Sequence, residues 1–130
     1  MKHITLKKIS KEHLLSLQKS LEDYSEGFKE YLQNSNETND YMYSVSQVSI
    51  ASGLWFAIRS KIEAYSTPGS MKLKGCEAVV MFNACGNAQV LSTDHYEILV
   101  ANEYRAILHK ELKSFFSPEQ IAGNTLQLTI

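Results

Sequence analysis

The chain has 130 residues, 44% of them hydrophobic and 21% charged, with 13 Lys+Arg against 14 Asp+Glu. That length suits one domain burying roughly two thirds of its unfolded surface, and the apolar content excludes a disordered chain or a linker. A net charge of −1 excludes a protein that binds nucleic acid or anionic membrane by bulk charge alone.

Ile4-Thr5-Leu6 alternates and predicts a first short strand over residues 3–7. Ser10 then reads as an N-cap. Leu14, Leu17, Leu21, Tyr24, Phe28 and Tyr31 recur at spacings of three and four, the stripe of an amphipathic helix running to about Leu32. Leu15 and Leu32 widen the stripe. Residues 1–20 carry five Lys and one Glu, whereas residues 21–40 carry one Lys and six acids. This asymmetry reads as two solvated helix faces of opposite sign.

The stretch from Gln33 to Asn39 contains no apolar residue and predicts a connection between antiparallel helices. A second helix is expected from about Asp40 to Tyr65, burying Val48, Ala51, Leu54, Trp55, Ile58, Ile62 and Tyr65. Its span from Tyr41 to Ile58 carries no charge. Serines and Gly53 dilute that span too much for a bilayer crossing.

Ser66-Thr67-Pro68-Gly69-Ser70 is a turn, and the alternating run Met71-Lys72-Leu73-Lys74 predicts a strand over residues 71–74. Glu77 to about Ala84 reads as the most buried helix, ending at Gly86-Asn87. Asp94 with Glu97 resembles a capping box for a fourth helix with Ile98, Ala101, Tyr104, Leu108, Leu112 and Phe115 on its inner stripe. A one-turn helix starting at Pro118 and a third alternating strand over residues 125–130 close the chain.

These elements predict an α+β domain of four main helices with a small sheet of three short strands. The alternative is an all-α helical bundle. The echo between Ile4-Thr5-Leu6-Lys7 and Met71-Lys72-Leu73-Lys74 suggests two strand-helix-helix halves, residues 1–66 and 70–116, plus the C-terminal strand.

Lys7, Lys8, Lys11 and Glu12 interrupt every apolar run near the N-terminus, so no secretory core is expected there. Cys76 and Cys85 would lie on opposite faces of one helix, too far apart to bridge. Two free thiols and the polar N-terminus together predict a soluble protein of the reducing cytoplasm.

Little in the chain points to catalysis. No nucleophile elbow, phosphate loop, dinucleotide fingerprint or zinc-binding helix motif occurs. His95 and His109 stand fourteen residues apart, about 21 Å along a helix, too far to share a metal ion. Cys76 sits near a helix start, where a thiol pKa falls, but no histidine is placed beside it by the sequence. The expectation is therefore a non-enzymatic protein-protein interaction module, able to pair with its own copy, without metal or cofactor. Tyr41, Tyr43, Val45 and Phe56 are its interface candidates, because tyrosine joins apolar area to a polar tip and Val45 and Phe56 lie off the buried stripe. Ile50 and Val100 are further off-stripe apolar residues that need cover. The alternative is a nucleic-acid-associated accessory protein contacting phosphates through Lys7, Lys8, Lys11, Lys72 and Lys74, which would meet if the first two strands pair.

Overall fold

The computed structural model describes residues 3–34 and 38–115. They form β1 (Ile4–Ile9), α1 (Lys11–Asn34), α2 (Thr38–Glu63), β2 (Gly69–Leu73), α3 (Gly75–Leu91) and α4 (His95–Phe115). The order is strand-helix-helix, repeated once.

β1 and β2 pair antiparallel, with Ile4 opposite Leu73, Thr5 opposite Lys72 and Leu6 opposite Met71. The next pair is Ile9 with Gly69, so β1 spends one residue more than β2 and bulges. Lys8 sits in that bulge at φ 52°, the left-handed region. The extra residue matters for burial. Strict alternation after Ile4 and Leu6 would point residue 8 inward; the bulge instead turns Lys8 out and returns Ile9 to the core.

Among the described residues the sheet has two strands, not the three expected from the sequence, and its presence also removes the all-α alternative. The third strand and the one-turn helix before it lie outside the described residues. Alternation such as that of Leu126–Ile130 reports a local preference for an extended backbone and does not by itself fix a pairing partner. β1 and β2 satisfy each other along one edge each.

α1 begins where Ser10 Oγ accepts the His13 N–H at 3.1 Å, an ordinary N-cap. Its inner stripe buries Leu14, Leu17, Leu21 and Tyr24, with Phe28 packed against them, whereas Leu15 faces solvent. α1 packs on α2, α3 and α4, most extensively on α2. α3 is the most enclosed helix, burying Ala78, Val80, Met81, Ala84, Cys85 and Ala88. It runs seven residues beyond Ala84 to Leu91, through Gly86 and Asn87, which adopt helical rather than left-handed conformation. Its end is set by Ser92, whose N–H donates to Ala88 O at 2.9 Å.

The core joins the inward side chains of β1 and β2 to those of all four helices: Ile4, Leu6, Met71 and Leu73 from the sheet meet Leu17, Ile58, Met81 and Leu108. Each such side chain taken out of water contributes about 1.5–3 kcal/mol. Of the four off-stripe apolar residues, Val100 is buried and Ile50 packs against the core, so the chain covers these two itself.

Candidate functional site

α2 is apolar on more than one side. Its buried stripe is Ser44, Gln47, Ala51, Leu54, Ile58 and Ile62; Val48 and Trp55, expected on it, are only half-buried. The stripe starts with two polar residues because Gln47 Oε1 accepts a hydrogen bond from the Tyr24 hydroxyl at 2.8 Å inside the α1–α2 contact. The buried Tyr24 phenol is pushed up to about 12, first by loss of water and then by Tyr43 beside it.

The four interface candidates do not share one surface. Tyr41, Val45 and Phe56 fall on the same flank of α2, exposed at 45%, 41% and 66%. Tyr43 lies on the opposite flank, its ring 6.1 Å from that of Phe28 on α1. Between the two flanks runs the outermost line of the helix, Met42, Ser46, Ser49, Gly53 and Ser60, all exposed. Met42, 65% exposed, went unrecognised in the sequence although Val45, Ser49, Gly53 and Phe56 follow it at steps of three, four, four and three. From Tyr41 to Phe56 this face extends about 22 Å along the axis without one charged side chain. The exposed face of α1 carries charges along its length, whereas α4 also exposes the apolar Leu99, at 66%, on a line with Asn102 and Ala106.

Of the five lysine candidates, Lys7 and Lys8 lie on β1, Lys72 on β2, and Lys11 and Lys74 just beyond the strand ends. Lys7, Lys8, Lys11, Lys72 and Lys74 are all exposed, and Lys72 stands opposite Thr5 in the ladder. Lys61, which sequence reasoning passed over, joins them: its Nζ donates to the Ser70 carbonyl of β2 at 3.2 Å.

The polar groups nearest to chemistry lie between α1 and the start of α4. Asp94 Oδ1 accepts the N–H groups of Tyr96 and Glu97 at 3.0 and 3.4 Å, the cap expected there. Glu97 is not the solvated acid its type suggests. It is 1% exposed, accepts the Ser20 hydroxyl at 3.4 Å and lies 3.9 Å from Lys19 Nζ. The spacing Glu97, Ala101, Tyr104, Leu108 places it on the inner stripe, a signal present in the sequence. Elsewhere between α1 and α4, His13 Nδ1 and the Tyr104 hydroxyl are 2.9 Å apart.

Both cysteines lie on α3 and are unbridged, Cys76 exposed and Cys85 buried. Burial pushes the Cys85 thiol up to about 12, against a smaller lowering by the Arg105 guanidinium. Arg105 itself lies over the Phe82 ring, 4.5 Å from its centre. Among the described residues no group of three or more His, Cys, Asp or Glu could hold a metal ion, and no helix is long and apolar enough to cross a membrane. No protein-family model, curated protein or solved structure matches the chain.

Proposed function

We propose that this chain is a non-enzymatic protein-interaction module that pairs with a second copy of itself through the outer face of α2. The observation that carries this reading is the uncharged, exposed face of Tyr41, Met42, Val45, Ser49, Gly53 and Phe56 on a helix whose inner stripe packs into the core. Two copies related by a twofold axis set identical surfaces against each other. A charged face would then meet its own charge; this one does not. Small residues at Ser49 and Gly53 let a second helix approach closely, while Phe56, Met42 and Tyr41 supply apolar area. The two free thiols suit a reducing compartment, and we place the module in the cytoplasm on that ground.

Light scattering and sedimentation of the purified chain at micromolar concentration test this. A dimer that Phe56→Glu or Val45→Glu converts to a folded monomer is expected. A wild-type monomer throughout that range overturns the reading.

A second reading rests on four exposed lysines, Lys7, Lys8, Lys72 and Lys74, carried on or next to two strands that pair with each other. Such lysines suit contacts to nucleic-acid phosphates. Titration with duplex DNA and single-stranded RNA at two salt concentrations decides it, because phosphate contacts weaken steeply with salt. Absence of salt-sensitive binding dismisses it.

A further inference from the structure

Where α1, α2 and α3 diverge, Tyr24, Gly27, Phe28 and Tyr31 of α1 face Tyr43 and Ser44 of α2 across a cleft of about 380 Å³, with Asn87 of α3 at its rim. The volume falls in the lower part of the range for small-molecule sites. Its aromatic wall is continuous. The Tyr24 and Phe28 rings meet edge to face at 4.9 Å, and Phe28 meets Tyr43 at 6.1 Å.

Among the described residues, no charged side chain lines this cleft. Charge does line other clefts among the described residues: Lys61 in one beside Tyr65, Glu22, Glu26 and Lys29 in one beside Trp55, Glu12, Lys19, Asp94 and Glu97 in one beside Leu15, and Arg105 in one beside Phe82. An ionised ligand entering among the aromatic rings would lose hydration without gaining a counter-charge. An uncharged ring would lose little and stack. Ser44, nearly fully buried, and Asn87 offer hydrogen bonds to one polar substituent.

Gly27 is the second observation. It occupies the position of α1 at which the stripe Tyr24, Phe28, Tyr31 leaves room for another apolar side chain. A glycine inside a helix costs about 1 kcal/mol relative to alanine. Close packing does not require it, for a Cβ built there meets nothing within 4 Å. Its missing side chain deepens the cleft.

We propose that this cleft binds an uncharged small molecule built on an aromatic ring with one polar substituent. The site is independent of the α2 outer face, since Tyr43 occupies the flank opposite Tyr41, Val45 and Phe56.

The test is titration of the intact chain with indole as the probe, followed by amide chemical shifts and thermal melting. Saturable shifts concentrated at Gly27, Ser44 and Asn87, with a raised Tm, are expected. Gly27→Leu fills the cleft and is expected to weaken indole binding at least tenfold while leaving the spectrum of the core amides unchanged. Tyr43→Ala, on the other helix, is expected to weaken it as well, which protects the test should Gly27→Leu misfold. Benzoate and cyclohexylammonium, ring compounds of either charge, are expected to bind at least tenfold more weakly than indole. Phe56→Glu is expected to leave indole affinity unchanged whether or not the chain dimerises. Absence of saturable shifts at these three amides, wild-type affinity in a folded Gly27→Leu, or equal binding of the charged rings overturns the proposal.

Discussion

Gly86 lies beneath Arg105: a Cβ at residue 86 would stand 3.3 Å from the Arg105 Nε. The guanidinium crosses α3 at this point to reach the Phe82 ring. Gly86 therefore serves a close approach between α3 and α4. Gly86→Ala should gain less than Gly27→Ala, where the space is open. Gly27→Ala is expected to stabilise by about 0.5–1 kcal/mol. For Gly86→Ala the same propensity gain is offset by displacement of Arg105, and urea denaturation of the two variants should rank them in that order.

Lys8 carries a backbone conformation that costs an L-residue about 1–2 kcal/mol. Glycine relieves that strain but gives back about 0.5–1 kcal/mol in unfolded-chain entropy. Lys8→Gly is expected to be at least as stable as wild type. Lys8→Val, branched at Cβ, should lose on the order of 1–2 kcal/mol. Equilibrium unfolding of both checks the bulge directly. Equal stability of the two variants would show that residue 8 does not hold this conformation in solution.

The Glu97 carboxylate depends on Lys19 at 3.9 Å and Ser20 at 3.4 Å. Lys19 is half-exposed, so the pair is worth far less than a fully buried one. Even so, Lys19→Ala strands a buried carboxylate and is expected to cost about 1–2 kcal/mol, well above an ordinary surface lysine. The same substitution in a Glu97→Gln background should cost much less. A double-mutant cycle measures the difference.

Three buried acids make the fold sensitive to alkali. Burial raises the Cys85 thiol from 9.0 to about 12, and the Tyr24 and Tyr104 phenols from 10.0 to about 12. Between those limits the unfolded chain has released protons that the native chain retains. The unfolded state then binds fewer protons, and stability falls as pH rises. Stability contributed by these groups is fully present below pH 9, begins to fall there as the unfolded thiol ionises, and falls more steeply above pH 10 with the phenols. Urea midpoints measured across this range should decline in those two stages, and Cys85→Ala should remove the earlier one.

Helix positions and much of the core could be read from residue spacing, because Leu14, Leu17 and Leu21, or Ala101, Tyr104 and Leu108, repeat at the period of the helix they bury. Strand existence was also readable in Ile4–Leu6 and Met71–Leu73. Three features escaped for definite reasons. The bulge at Lys8 arises from pairing with β2 and has no local signature. Gly86-Asn87 looked like a helix end because such residues commonly stop helices, while the demand for glycine came from Arg105, distant in sequence. Glu97 lies on its helix's inner stripe, and its chemical type concealed what its spacing announced.

The candidate site was legible in part. Tyr41, Val45 and Phe56 share a helix flank as their spacing implies, but Tyr43 departs because a step of two residues turns nearly half way around a helix. Its partners Phe28 and Tyr24 come from α1, and only the tertiary arrangement brings those rings together.

The element order has a consequence for how the chain reaches this structure. Each helix pairs most extensively with its neighbour along the chain, α1 with α2 and α3 with α4. The Ile4–Leu73 pairing, by contrast, joins the beginning of one helical hairpin to the beginning of the next. Contacts near in sequence form quickly, whereas distant ones must await closure of the intervening chain. Two helical hairpins that assemble early and a strand clasp that shuts late follow from this order, and the clasp becomes the step at which the register of the finished molecule is set.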